Sequence, residues 1–124
     1  MIYGVGTDIC ENRRIGSLLE KYNNKFLDRV YTPEEIDYCM AKKNPVPHLA
    51  ARFAMKEAFI KALNLESGNY NEIGLAGNRG KKEPVVSERI RKILHQHAIE
   101  NIQCSISHAV EYSTAVVILE RAGS

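Results

Sequence analysis

Between His48 and Leu63 the chain is apolar almost all the way round a helix, yet it carries charges. At roughly 100° per residue, Leu49, Phe53, Ile60 and Leu63 fall on one arc and Ala54, Ala58, Ala62, Met55 and Phe59 on the other. Glu57 and Lys61 lie between the arcs. A helix without a wide polar face is usually buried. A carboxylate there needs a cation, hydrogen bonds or a metal to offset several kcal/mol of desolvation. Glu57 and Lys61, four residues apart on one face, read either as a salt bridge at a helix edge or as part of a site.

The other elements follow from the same patterning. Ile2 to Thr7 form a short strand in which β-branched residues alternate with Gly4 and Gly6, positions that either weaken the strand or admit close backbone approach. Asp8 stands at its end. Ile15, Leu18, Leu19 and Tyr22 recur at helical spacing from Arg13 to about Tyr22, and Asn23-Asn24 forms a stop. Thr32-Pro33-Glu34-Glu35 starts a helix to about Lys42, with Thr32 as N-cap and Glu35 completing a capping box. Asn44-Pro45-Val46-Pro47 breaks the chain before the apolar helix.

Asn64 to Asn71 is a polar turn region, Glu72 to Ala76 a short strand, and Gly77 to Lys82 a hairpin-like turn. Ser87 caps a helix to about Ile99, with Ile90, Ile93, Leu94 and Ala98 inward. Ile102, Cys104 and Ile106 alternate with Gln103, Ser105 and Ser107, the pattern of a half-buried strand. Ser113 to Leu119 is β-branched enough for a central strand, and residues 108–112 join the two as an antiparallel hairpin. With no repeats, low-complexity stretches or linkers, residues 1–124 read as one α+β domain, a small antiparallel sheet packed against helices.

Composition narrows the functional classes. The 124 residues make about one domain, small enough that a deep site can need a second subunit. Seventeen basic against fifteen acidic residues give a net charge of +2, so no global nucleic-acid or membrane signature exists. Cys10, Cys39 and Cys104 are widely spaced and lack a C-x-x-C arrangement, which reads as reduced thiols in a cytoplasmic protein. The N-terminus has no signal or transit pattern, and no apolar run approaches a membrane span. The expectation is a soluble, unprocessed protein.

Three separated features could converge on chemistry: Asp8, the Glu57–Lys61 pair, and Ser105-Ile106-Ser107-His108 running off a strand. Two carboxylates with water and phosphate oxygens make the usual Mg²⁺ environment, because this hard ion takes few protein ligands and keeps its octahedron with substrate. Asp8 reads equally as a turn or cap residue, and His108 as a loop histidine with a satisfied ring.

Taken together, Gly6-Thr7-Asp8-Ile9, Arg52-Phe53-Ala54-Met55-Lys56-Glu57-Ala58 with Lys61-Ala62-Leu63, and Ser105-Ile106-Ser107-His108 resemble the holo-acyl-carrier-protein synthase family, the short type of 4′-phosphopantetheinyl transferase. Phe26 to Glu35 and the turn from Asn78 to Pro84 match in part. The resemblance implies transfer of the phosphopantetheine arm of coenzyme A to a serine of apo acyl carrier protein in fatty acid biosynthesis, releasing adenosine 3′,5′-bisphosphate. It implies that Asp8 and Glu57 bind Mg²⁺ at the coenzyme A pyrophosphate, and that Lys61 contacts phosphate and stabilises or protonates the leaving group. The base that accepts the serine proton is then Glu57 or a metal-bound water oriented by Asp8.

By the same resemblance, Arg52 contacts the coenzyme A 3′-phosphate, Ser107 and His108 line the nucleotide pocket, and Arg14, helped by Arg13, faces the acidic carrier protein. A homotrimer with active sites between subunits is also implied. Family members commonly follow the Lys-Ala-Leu step with a glycine-containing turn, whereas here the chain reads Asn64-Leu65-Glu66-Ser67-Gly68. Two other classes compete. One is a non-catalytic carrier-protein adaptor, against which the joint presence of Asp8, Glu57 and Lys61 counts; the other is a nucleic-acid binder resting on Arg79, Lys81, Lys82 and Arg89, Arg91, Lys92, charges that solvated surfaces explain more simply.

Overall fold

A computed structural model describes residues 1–66, 69–77 and 82–123. Strands β1 (Ile2–Glu11), β4 (Ile99–His108) and β5 (Tyr112–Arg121) form an antiparallel sheet in the order β1-β5-β4. The β-branched C-terminal strand is central, as its composition predicts. Helix α4 (Pro45–Leu63) packs across one face of this sheet against all three strands, and α1 (Asn12–Tyr22) and α3 (Pro33–Met40) lie on α4. Helix α2 (Asn24–Val30) follows α1 directly, a one-residue C-cap at Asn23 with φ 49° separating them. Strands β2 (Ile73–Ala76) and β3 (Glu83–Val86) pair antiparallel, and α5 (Glu88–Gln96) leads into β4. Of the hairpin-like turn expected at Gly77 to Lys82, residues 78–81 lie outside the described residues, as do Ser67 and Gly68 of the turn region.

The seating of α4 on β1 depends on glycine. A Cβ on Gly6 would stand 1.8 Å from the carbonyl oxygen of Ala58, and one on Gly4 would stand 2.1 Å from that of Ala62. Of the two readings of these glycines, close approach is the correct one. Small residues on the helix answer them: Ala50, Ala51, Ala54 and Ala58 are wholly buried. Asp8 continues the Gly4, Gly6 alternation and so points to the same face of the sheet as the helix.

Several boundaries differ from the sequence reading, each for a physical reason. Strand β1 does not stop at Thr7, because pairing with β5 continues to Glu11 opposite Tyr112. Asp8 therefore lies within the strand, opposite Ala115, and is neither a turn nor a cap residue. Helix α4 starts at Pro45 rather than after Pro47, since prolines in a first turn remove only amide donors that have no helical partner. Helix α5 ends at Gln96 because Ala98 adopts φ 58°, turning the chain so that Ile99 opens β4 and enters the core; Ala98 itself is exposed. The capping box at Thr32 forms as read, with Glu35 N donating to Thr32 Oγ1 at 3.2 Å and Thr32 N to Glu35 Oε1 at 3.0 Å.

The same Glu35 carries a second load. The charges wholly inside the core are Lys56 and Glu35, both without side-chain exposure and paired at 2.5 Å, while Arg52 is nearly as deep. Lys56 also donates to the carbonyls of Tyr70 and Ile73. Burial pulls the Lys56 ammonium below its ordinary pKa against the opposing attraction of Glu35. Thus the compensated buried ion of α4 is Lys56; Lys61 is exposed and Glu57 half-buried.

If β1 and α4 meet backbone to backbone, Gly6→Ala destabilises the fold by about 3 kcal/mol or more through overpacking. Gly123→Ala, where a Cβ would meet nothing within 4 Å, leaves stability unchanged. Urea denaturation of the two variants checks this, and equal stabilities would refute the close contact.

Candidate active site

Asp8, Lys61 and Glu57 gather where β1 crosses the C-terminal half of α4. Lys61 Nζ donates to Asp8 Oδ1 at 3.1 Å and to the Thr7 carbonyl at 3.1 Å. The Lys61 side chain is 56 % exposed and that of Asp8 18 %, so this ion pair contributes little stability and leaves the lysine reachable by a ligand. Of the two readings of Glu57 and Lys61, the helix-edge salt bridge is absent among the described residues. Lys61 pairs across to the strand, and Glu57 instead accepts from the Tyr70 hydroxyl at 2.6 Å.

Tyr70 reports the electrostatics of the locus. Its pKa is pushed up to about 12, first by the hydrogen bond to Glu57, then by burial and the Glu57 charge, with Asp8 raising it further and Arg14 opposing. One hydroxyl therefore senses Asp8, Glu57 and Arg14 together. The Arg14 guanidinium stands 5.6 Å from the Phe53 ring, whose centroid is 5.3 Å from that of Tyr70. Arg13, exposed like Arg14, lines a groove with Val46, Pro47 and the β4–β5 loop.

The described residues hold no group of three or more His, Cys, Asp or Glu arranged as a metal cage. What they offer is a pair of oxygen donors beside a half-exposed lysine. That set fits a hard divalent cation that keeps waters and takes substrate phosphate oxygens, as Mg²⁺ does, and does not fit zinc.

Arg52, Ser107 and His108 meet at a second locus, lining a cavity of ≈ 300 Å³ with Tyr38, His48, Lys82 and Ile106. Arg52 stacks 4.5 Å from the Tyr38 ring centroid and donates to the His48 carbonyl at 3.3 Å, while its buried Nε has no hydrogen-bond partner among the described residues. His48 and His108 meet ring to ring at 5.0 Å. Burial pushes the His48 pKa down, and His108, Arg52, Lys42 and Lys82 push it further. The cavity is thus cationic, suited to an anion. Arg52 and Glu57, five apart on α4, point about 140° apart around the helix.

The sequence reading gave no site role to Tyr70 or His48, placed Lys82 only in a surface basic cluster, and missed Asn12, whose buried amide donates to the Ala109 and Val110 carbonyls and accepts from Ser113, fixing the loop after His108. No spacing rule signals such contacts between distant segments. Of the basic clusters, Arg79 and Lys81 lie outside the described residues, and Arg89 is held by Glu72 at 2.6 Å.

The family model of the 4′-phosphopantetheinyl transferase superfamily matches residues 4–117. A holo-[acyl-carrier-protein] synthase of Leptospira biflexa is 52% identical over 118 residues, covering 92% of this chain and 93% of the relative. The crystal structure of holo-[acyl-carrier-protein] synthase from Neisseria meningitidis superposes with a TM-score of 0.89 at 36% identity, covering 98% of this chain and 100% of that one. The Bacillus anthracis synthase, crystallised in complex with CoA (3′,5′-ADP), matches with a TM-score of 0.80 at 31% identity over 98% of this chain and 99% of its own. On this matched span and shared fold, the chain belongs to the 4′-phosphopantetheinyl transferase superfamily.

Proposed function

We propose that this protein is a holo-acyl-carrier-protein synthase: it transfers the 4′-phosphopantetheine group of coenzyme A to a serine of apo acyl carrier protein and releases adenosine 3′,5′-bisphosphate. The observation that carries the reading is the convergence of Asp8, Lys61 and Glu57 on the β1–α4 contact, within a chain 52% identical to a curated synthase. In the reaction the serine oxygen bonds to the phosphorus that bears pantetheine, and the bond from that phosphorus to the bridging oxygen of the pyrophosphate breaks. The serine proton passes to a base, for which Glu57 or a water oriented by Asp8 is the candidate, and negative charge collects on the departing bisphosphate.

Lys61 is free to turn from Asp8 to that departing phosphate, since its side chain is more than half exposed. Asp8 and Glu57 are the residues that would hold Mg²⁺, which when bound neutralises charge on the pyrophosphate. The cavity lined by Arg52, Lys82, His48 and His108, made cationic by Arg52 and Lys82, suits the 3′-phosphate, with Ser107 at its wall. Because Arg52 and Glu57 face different sides of α4, a ligand spanning both kinds of locus favours completion by a second copy. The outer face of the sheet leaves Val5 and Ile9 53% and 66% exposed, apolar surface that a neighbouring copy in a homotrimer would cover. Arg14, exposed on α1 beside the Phe53–Tyr70 stack, is positioned for the acidic carrier. Cytoplasmic fatty acid biosynthesis fits the carrier substrate and the three free thiols.

Incubating the protein with apo acyl carrier protein, coenzyme A and Mg²⁺ should shift the carrier's mass by one phosphopantetheine group, and an unmodified carrier would refute the proposal. Glu57→Gln should fold normally and lose kcat by on the order of 100-fold or more. Retained turnover at ordinary Mg²⁺ would remove Glu57 from the site. Arg14→Glu should raise the KM for carrier roughly tenfold while leaving that for coenzyme A unchanged. Equal loss for both substrates would contradict a carrier-facing role.

A further inference from the structure

Tyr70 lies outside the three motifs, and the transfer chemistry above makes no use of it. One face of α4 nonetheless holds it at three points. Its hydroxyl donates to Glu57 Oε1 at 2.6 Å, its ring lies 5.3 Å from that of Phe53 at 36°, and its carbonyl accepts from Lys56 Nζ at 3.1 Å. Residues 53, 56 and 57 have the i, i+3, i+4 spacing of a single helical stripe. Behind that stripe Lys56 is itself fixed, with no exposed side-chain surface and Glu35 as its counterion.

A half-buried glutamate at a helix surface has two equivalent oxygens and several rotamers. A donor fixed on one oxygen removes that freedom and leaves the other for a further partner; among the described residues Glu57 Oε2 has none. We propose that Tyr70 is a positioning residue for Glu57: its hydroxyl, held by Phe53 and Lys56, sets the carboxylate with one oxygen engaged and the other free for a divalent cation. The buried Lys56–Glu35 pair thereby reaches the active site through the Tyr70 backbone. The inference rests on the transferase reading and on Glu57 as a metal ligand.

Two variants separate hydroxyl from ring. Tyr70→Phe keeps the stack on Phe53 and loses the donor, whereas Tyr70→Leu loses both. Calorimetric titration of Mg²⁺ into protein with coenzyme A reads metal affinity directly, beside thermal melts and steady-state kinetics. Tyr70→Phe should melt close to wild type, bind Mg²⁺ about tenfold more weakly, as outer-shell partners of metal ligands usually do, and lose kcat with the KM for carrier protein unchanged. Wild-type metal affinity and turnover in Tyr70→Phe, with losses confined to a less stable Tyr70→Leu, would overturn the inference and leave Tyr70 a packing residue. A wild-type protein that shows neither Mg²⁺-dependent coenzyme A binding nor carrier modification would overturn the transferase reading as well.

Discussion

Everything at the candidate active site depends on a contact that contains no side chain. Gly4 and Gly6 let β1 approach the carbonyls of Ala62 and Ala58 to a distance at which no Cβ fits. Helix and strand normally stand apart by the thickness of their side chains, and here that thickness is absent. The consequence appears two residues further along the strand, where Asp8 shares the inner face and comes within 3.1 Å of Lys61. A larger residue at position 6 would push strand and helix apart and open the site while leaving Asp8, Glu57 and Lys61 in the sequence.

The charges along α4 divide by depth. Lys56 and Glu35 are wholly buried, and removing either partner of such a pair leaves an uncompensated ion, a loss of about 3–5 kcal/mol. Glu35 also closes the capping box at Thr32, so one carboxylate ties the start of α3 to the middle of α4. Lys61 and Glu57 lie nearer the surface, with partners a ligand can replace or share. The helix thus carries a buried and a half-exposed charge one residue apart, at Lys56 and Glu57, both of which touch Tyr70.

Much of the architecture is legible in the sequence because it is encoded locally. The capping box at Thr32, the alternation from Ile102 to Ser107 and the β-branched final strand each specify an element through near neighbours, and all three form. Local signals fail where a distant segment decides the outcome. Pairing with Tyr112 extends β1 past Asp8, and burial of Ile99 in the core ends α5 early. The apolar helix correctly announces buried charge that needs compensation. Which charge it is turns on tertiary contacts: Lys56 meets Glu35, 21 residues away in sequence, and Lys61 meets Asp8, 53 away. Family resemblance supplies roles for Arg52, Ser107 and His108, and their meeting in one cavity agrees with a shared ligand. Tyr70, joined to Glu57 only through the fold, carries no sequence signal at all.

If the β1–α4 contact builds one locus for a metal and the pyrophosphate of coenzyme A, both should bind there together. The most direct test is a crystal structure grown with coenzyme A and Mn²⁺ as an anomalous scatterer in place of Mg²⁺. The expected result is an anomalous peak held by Asp8 and Glu57, with the pyrophosphate beside it and within reach of Lys61. Coenzyme A phosphates bound away from these residues, or a metal held by neither carboxylate, would contradict it.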